Sequence, residues 1–252
     1  MKRKWLLWAA IAVVVLCLSL GTAYARSVLH SRPGFQVSTL GALNVGIYQG
    51  AATITELKRQ GNFGLGTFEG LDGEMVVLDG RVYQINADGV ASVVTDKIKT
   101  PFAAVTFFKK ERSIRLPGQL SYQDLQQALS QRLPSQNLPY ALRMEGIFPY
   151  LKVRSVPRQT LPYPPLSTVI SQQQTIFELR NVRGTLVGFW LPSYLKEVNV
   201  AGFHFHFITS DRKTGGHVLD GTFSAPVADL ATLYDWDISL PENAAFAKAT
   251  LE

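Results

Sequence analysis

The chain has 252 residues, of which 46% are apolar, so it can bury a substantial core as one globular unit. Its 25 Lys and Arg residues stand against 19 Asp and Glu residues, and three of the basic ones, Lys2, Arg3 and Lys4, lie together at the N-terminus. Removing those three leaves 22 against 19, an excess of +3 that is dispersed along the chain, which argues against a nucleic-acid-binding protein.

Residues 1–25 are predicted to be a cleaved signal peptide. The basic start is followed by a nearly unbroken apolar run over 5–20, and the small residues Ala23 and Ala25 place cleavage before Arg26. An uncleaved anchor is the alternative, but the run is shorter than the ~20 residues that a spanning helix prefers. The only cysteine, Cys17, leaves with this peptide, so the mature protein has no disulfide. We therefore expect a periplasmic or secreted protein without a membrane partner after cleavage.

The beginning of the mature chain predicts two short helices and a close backbone approach. Ser38 is expected to cap a helix over 38–48, and Thr53 with Glu56 forms a capping box for a second helix. The glycine-rich segment 61–68 lacks the Gly-Lys-Ser/Thr of a phosphate-binding loop. Its glycines instead indicate backbone that passes close to a packed neighbour or a ligand.

From residue 74 onward the pattern is typical of strands. Turn signals at Asp79-Gly80 and Asp88-Gly89 separate short apolar runs, and Ser121 caps one further helix that reaches about residue 133. The Pro-rich segment 157–165 is the best candidate for a lobe boundary or for a long surface connection. This pattern predicts an α+β fold with antiparallel or mixed sheet and a few short helices. The predicted strands are 74–78, 81–86, 90–94, 102–108, 140–148, 150–156, 176–180, 184–190, 199–208 and 216–224.

Three of the four histidines lie within 14 residues, His204 to His217. In a strand, His204 and His206 project from the same face and Phe205 from the other. The polar, glycine-rich segment 209–216 can fold as a hairpin that returns His217 beside the pair. Three neutral imidazoles with open coordination positions indicate a catalytic zinc site, although copper, nickel, manganese and iron also accept such ligands.

The histidine pattern leaves other classes of protein open. Carbonic anhydrases and cupin-type oxygenases also use such histidines, but a cupin typically adds a carboxylate shortly after the pair, where residues 207–210 read FITS. A non-catalytic metal-binding protein of the cell envelope and another zinc lyase or hydratase remain as alternatives.

Five ordered motifs resemble the alpha-acetolactate decarboxylases over about residues 35–246. They are GLGTF (64–68), LDGE (71–74), NVRGTLVGF (181–189), AGFHFHFI (201–208) and GGH (215–217). The resemblance implies that 26–252 is a catalytic domain of two mixed-sheet lobes. It also implies a homodimer that converts 2-acetolactate to (R)-acetoin and carbon dioxide with Zn²⁺.

The resemblance also assigns roles to individual residues. The three histidines match the metal ligands of the family, and Glu74 of the LDGE motif matches its essential glutamate. Arg154 matches the arginine that clamps the substrate, and Thr67 a threonine that contacts it. Composition alone does not separate Arg154 from Arg143 and Arg158. Glu74, at a strand start, is by default a solvated turn carboxylate.

The C-terminus departs from the family pattern. Family members continue beyond the segment that ends here at Phe246, with a tail that brings a second glutamate toward the metal. This chain stops at Glu252, six residues later. We expect that Glu252 does not take the place of that glutamate.

Overall fold

The computed structural model describes residues 33–251; the predicted signal peptide and Glu252 lie outside the described residues. The helices are α1 (Leu40–Asn44), α2 (Ile54–Gln60), α3 (Tyr122–Ser130), α4 (Leu166–Gln173) and α5 (Ala244–Lys248). The strands are β1 (Gly34–Val37), β2 (Ala52–Thr53), β3 (Phe63–Thr67), β4 (Glu74–Leu78), β5 (Arg81–Ile85), β6 (Ala91–Val93), β7 (Lys99–Thr100), β8 (Ala103–Thr106), β9 (Arg112–Arg115), β10 (Gln119–Ser121), β11 (Tyr140–Ser155), β12 (Thr175–Leu191), β13 (Gly202–Thr209), β14 (Gly215–Ser224), β15 (Val227–Thr232) and β16 (Trp236–Ser239).

The strands form two seven-stranded sheets and a small β2–β7 pair. The first sheet has the order β16-β1-β8-β3-β4-β5-β6, and the second has the order β10-β14-β13-β12-β11-β15-β9. All of these pairings are antiparallel except that of β1 with β16. The predicted α+β class, rich in mixed and antiparallel sheet with a few short helices, is confirmed.

One feature of the second sheet positions the histidines. Strand β14 pairs with β13 and also with the outer half of β11, so strands β11 to β14 close on themselves. The register places His217 opposite both His206 of β13 and Arg154 of β11. Three residues from separate strands are thereby held at one place by main-chain hydrogen bonds.

The two sheets share an apolar core. Buried side chains of the first sheet, such as Leu65 and Val76, belong to the same cluster as Val187 and Phe189 of the second. Ser155 crosses the same boundary, because its buried hydroxyl donates to the carbonyl oxygen of Ile85 at 2.8 Å. The position of one sheet relative to the other is therefore set by packing and by a buried hydrogen bond.

The first helix is shorter than predicted and has a different cap. Helix α1 begins at Leu40, and the side chain of Thr39 accepts the N–H of Ala42. Ser38 lies in the left-handed region with φ 62°, and its N–H bonds to the carbonyl of Ser239, so it ends strand β1 instead. The capping box of Thr53 and Glu56 on α2 is confirmed.

Two pairs of predicted strands are single long strands. The segments 140–148 and 150–156 form β11, and 176–180 and 184–190 form β12. Pro149 interrupts their ladder opposite Asn181, which has φ 48°. The strands continue past this point because β12 and β14 both pair with the outer half of β11.

The Pro-rich segment 157–165 is not the boundary between the sheets. It connects β11 to α4, whereas the chain passes from the first sheet to the second at 107–111 and returns at 233–235. Proline cannot donate a main-chain hydrogen bond to a β-ladder, so it is typical of an irregular connection such as this one. The connection does not lead from one sheet to the other. None of the described helices has the length and hydropathy needed to span a membrane.

The glycine-rich segment forms strand β3 and approaches β8 closely. A Cβ at Gly64 would lie 2.1 Å from the carbonyl oxygen of Ala104, and one at Gly66 would lie 2.4 Å from that of Phe102. The close packed neighbour expected from the sequence is therefore strand β8 and the residues that lead into it.

Candidate active site

A cavity of about 300 Å³ is lined by both sheets and by helices α1 and α4. It contains every residue for which the sequence predicts a role in binding or chemistry: Thr67, Glu74, Arg154, His204, His206 and His217. Arg143, in contrast, pairs with Glu145 and Asp79 at the surface, and Arg158 is 63% exposed. The structure therefore separates Arg154 from the arginines that looked equivalent in the sequence.

The predicted hairpin brings the three imidazoles together. The Nδ1 atom of His217 lies 3.1 Å from Nε2 of His204 and 3.3 Å from Nε2 of His206. Tetrahedral coordination with zinc–nitrogen bonds of about 2.1 Å requires ligand nitrogens about 3.4 Å apart, which is close to these two spacings. The three ligand nitrogens all lie within 4.8 Å of one another, and the three histidines could hold a divalent metal ion.

Backbone contacts orient the imidazole of His206. Its Nδ1 lies 2.8 Å from the carbonyl oxygen of Met75, which can only accept, so Nδ1 carries the proton. The lone pair of Nε2 therefore faces the other two rings, as metal binding requires. Phe205, between the two histidines, points away from them as predicted and is fully buried in the core of the second sheet together with Phe207.

Burial keeps the imidazoles neutral. Desolvation lowers the pKa of His206 to about 3, and it lowers the pKa of His204 and His217 well below the ordinary value. The positive charge of Arg154 acts in the same direction on all three. Neutral imidazoles have free lone pairs at neutral pH, which is the state that binds a metal ion.

Glu74 is a buried carboxyl group next to the histidines. Its side chain is 9% exposed, and its Oε2 lies 3.4 Å from Nε2 of His206. Desolvation raises its pKa to about 7, and the nearby Arg154 opposes that rise. The default expectation of a solvated turn carboxylate is therefore wrong, because the second sheet covers the start of β4.

Arg154 faces Glu74 across the cavity. Its Nε is 3.9 Å from Oε1 of Glu74, and its side chain is 13% exposed. That Nε is buried and donates no hydrogen bond within the described residues. A buried guanidinium with an unused donor is suited to bind a carboxylate that enters the cavity.

Thr67 lies directly opposite Glu74 in the ladder between β3 and β4. Its hydroxyl donates to the carbonyl of Gly73 at 2.7 Å, so this group can only accept a hydrogen bond from a ligand. The turn that it supports is unusual, because Leu71 has φ 55° and its side chain lines the cavity. Such strain in a non-glycine residue is often found at functional sites.

The apolar side of the cavity was not predicted from the sequence. Leu71, Phe102 and Val156 contribute to it, and five further side chains are here called the apolar wall: Leu40 and Leu43 of α1, Leu166 and Ile170 of α4, and Val200. Helix α4 begins after prolines without a side-chain cap, so the usual start signal is missing. The apolar pair at positions i and i+4 was the one signal available.

Comparison with known proteins agrees with the geometry of this site. A family model described as alpha-acetolactate decarboxylase matches residues 35–252. The alpha-acetolactate decarboxylase of Methanosarcina mazei is 47% identical over 217 residues, which are 86% of this chain and 75% of that protein. The protein of the same description from Methylococcus capsulatus is 45% identical over 86% of this chain and 83% of its own length.

Solved structures give the same result. The crystal structure of alpha-acetolactate decarboxylase from Bacillus subtilis strain 168 has a TM-score of 0.84 and 36% sequence identity, and the match covers 87% of this chain and 94% of that one. A Staphylococcus aureus protein described as similar to alpha-acetolactate decarboxylase has a TM-score of 0.82 at 34% identity. The chain belongs to the alpha-acetolactate decarboxylase family and is a carboxy-lyase.

Proposed function

We propose that this protein converts 2-acetolactate to (R)-acetoin and carbon dioxide, with Zn²⁺ held by His204, His206 and His217. The observation that carries the proposal is the convergence of three neutral imidazoles, a buried carboxyl group and a buried guanidinium on one cavity. Loss of carbon dioxide from a β-keto acid leaves an electron pair that is delocalised into the adjacent ketone. When bound, a zinc ion supplies the Lewis acid that stabilises this negative charge.

Arg154 binds and orients the carboxylate that leaves. Its charge and its unused Nε donor are held inside the cavity, where a charge-assisted contact is stronger than in water. A planar guanidinium can contact both oxygens of the carboxylate, which fixes the direction in which the bond to carbon dioxide breaks.

Glu74 donates the proton that completes the reaction. It lies on the cavity surface between Arg154 and His206, so its proton can reach only one side of a substrate held there. Delivery from one side accounts for a single enantiomer of acetoin. The raised pKa of Glu74 is consistent with a carboxyl group that holds a proton near neutral pH.

Turnover with defined substrate tests this function. Protein loaded with Zn²⁺ is incubated with racemic 2-acetolactate, and acetoin is quantified by chiral gas chromatography. We expect stoichiometric carbon dioxide and (R)-acetoin, and loss of both after chelation and their return with added zinc. Metal uptake without acetoin would favour a non-catalytic metal-binding protein, and another product would favour a different zinc lyase.

Export and a homodimeric state are part of the same proposal. The basic start, the apolar run and the Ala23–Ala25 site support cleavage before Arg26. Mass spectrometry of protein from the envelope or medium should find Arg26 as the first residue, whereas an intact N-terminus in membranes contradicts it. Light scattering on the mature protein should give twice the chain mass.

A further inference from the structure

The cavity has two chemically different sides. The histidines, Glu74 and Arg154 lie on the polar side, and the apolar wall of Leu40, Leu43, Leu166, Ile170 and Val200 forms a large part of the remaining lining, together with Leu71, Phe102 and Val156. The proposed reaction occupies the polar side and leaves the wall without a role.

The side chains of the apolar wall line the cavity. Leu40, Leu166, Ile170 and Val200 are only partly buried, in contrast to the core residues beneath them. Leu166 and Ile170 lie four residues apart on α4 and share one face of the helix. Val169 lies beside them and is fully buried in a cluster with Leu43, Tyr48 and Val156, against which Leu40 and Leu166 also pack. Leu166 and Ile170 line the cavity, whereas Val169 does not.

The wall is held in place by its supports. Helix α1 packs against α4, and its first N–H groups bond to the carbonyls of Val198 and Glu197. The side chain of Asn199 donates to the buried Gln36 at 2.8 Å, which fixes the segment that carries Val200. A wall that is fixed on both sides can discriminate between ligands by size.

The arrangement of polar groups determines what the wall meets. The carboxylate of the substrate is drawn to Arg154, and its ketone and hydroxyl oxygens are drawn to the metal centre. The alkyl substituent at C2 carries no polar atom. Contact with an apolar surface removes this group from water, which is favourable. We infer that the apolar wall binds the 2-alkyl group of 2-hydroxy-3-oxo acids, and that Ile170 sets the length of alkyl group that fits. This inference rests on the proposed function.

The volume of the cavity leaves room for substrates with longer alkyl groups at C2, so selectivity for alkyl length can be measured. A volume of about 300 Å³ is within the range of pockets that hold drug-sized ligands. Acetolactate, with a methyl group at C2, leaves part of that volume unfilled. The contact of a longer alkyl group with the apolar wall, rather than the total volume of the cavity, then determines kcat/KM for that substrate.

The experiment compares kcat/KM for 2-acetolactate and for its homologue with a propyl group at C2. Ile170→Ala removes side-chain volume from the wall, so the ratio of propyl to methyl substrate should rise by at least tenfold. Ile170→Phe should lower the same ratio by a similar factor. Leu166→Ala, on the same helix face, provides an independent variant if Ile170→Ala does not fold, as judged by circular dichroism.

Val169→Ala is the matched control. It removes a similar side chain from the same helix, at a buried position that does not line the cavity, so it should lower stability and leave the substrate ratio within twofold of the unmodified protein. The inference is overturned if the Ile170 and Leu166 variants change both substrates in proportion, or if Val169→Ala shifts the ratio equally. Absence of turnover of 2-acetolactate by the unmodified protein would instead refute the proposed function, so the two failures are distinguishable.

Discussion

The buried histidines should make the metal-free protein sensitive to mild acid. Their folded pKa values lie below the ordinary 6.5, so the stability they contribute is present above pH 6.5 and is lost as the pH falls below it. Glu74 acts in the opposite direction. Its folded pKa is raised from 4.5 to about 7, so its contribution is present below pH 4.5 and is lost as the pH rises through 7.

The magnitude follows from the protons bound in each state. At pH 5.5 an unfolded imidazole binds about 0.9 proton, whereas folded His206, with a pKa of about 3, binds almost none, and burial shifts the pKa of His204 and His217 in the same direction. Folded Glu74 binds about 0.9 proton more than unfolded Glu74, so it offsets about one histidine. The unfolded chain therefore binds more protons in total, and the free energy of unfolding should decrease as the pH falls, by roughly 1 kcal/mol per pH unit for each imidazole that Glu74 does not offset. Each such step is a sizeable share of the roughly 5–15 kcal/mol that stabilises a typical domain.

Urea unfolding in the presence of a chelator, followed by tryptophan fluorescence from pH 7.5 to 5, measures this slope. Two variants test its origin at pH 5.5. Glu74→Gln removes the opposing group and should steepen the slope by roughly 1 kcal/mol per pH unit, whereas His206→Ala removes one difference in proton binding and should reduce the slope by a similar amount. A free energy of unfolding that stays constant between pH 7 and 5, or identical slopes in the three proteins, would refute the reasoning.

Three further predictions concern metal binding and turnover. His206→Ala should lose the metal, as measured by mass spectrometry of the metal content, and full metal content would contradict the site. The variant should stay folded, because the ring makes one hydrogen bond to the main chain of the described residues, to the carbonyl of Met75. Glu74→Gln should keep the metal, while kcat falls by roughly 10²-fold. Arg154→Lys should raise KM, because a point charge cannot replace the planar guanidinium. Near-normal kinetics in both variants would show that these residues have other roles. Ser155→Ala should lower the free energy of unfolding by about 1–3 kcal/mol, because it removes a buried hydrogen bond between β11 and the first sheet. Since Ser155 is next to Arg154, this variant should also reduce kcat/KM. Ser121→Ala is the control: it removes the cap of α3 and should destabilise the protein without changing kcat/KM.

The histidine site could be predicted from local sequence because its geometry is local. A strand alternates its side chains, and a short polar turn reverses its direction, so His204, His206 and His217 meet without help from distant residues. The capping box of α2 is predictable for the same reason. The α+β class also followed from the alternation and from the turn signals.

Residues that depend on the second sheet could not be identified in this way. Glu74 is buried only because β4 lies against β13, and nothing within LDGE distinguishes it from a solvated carboxylate. Arg154 differs from Arg143 and Arg158 only through the pairing of β11 with β14. Family resemblance supplied these residues, and long-range packing explains why local pattern could not.

The division of the site between the sheets has a consequence for how metal binding acts on the fold. The three imidazoles belong to the second sheet, but the ring of His206 is oriented by a carbonyl of the first. That carbonyl belongs to Met75, the neighbour of Glu74, so the orientation of a ligand and the position of the carboxyl group depend on the same short strand. A ligand that binds only the folded state stabilises whatever contacts its binding requires. A metal ion bound by these histidines would therefore stabilise the contact between the sheets as well as the site.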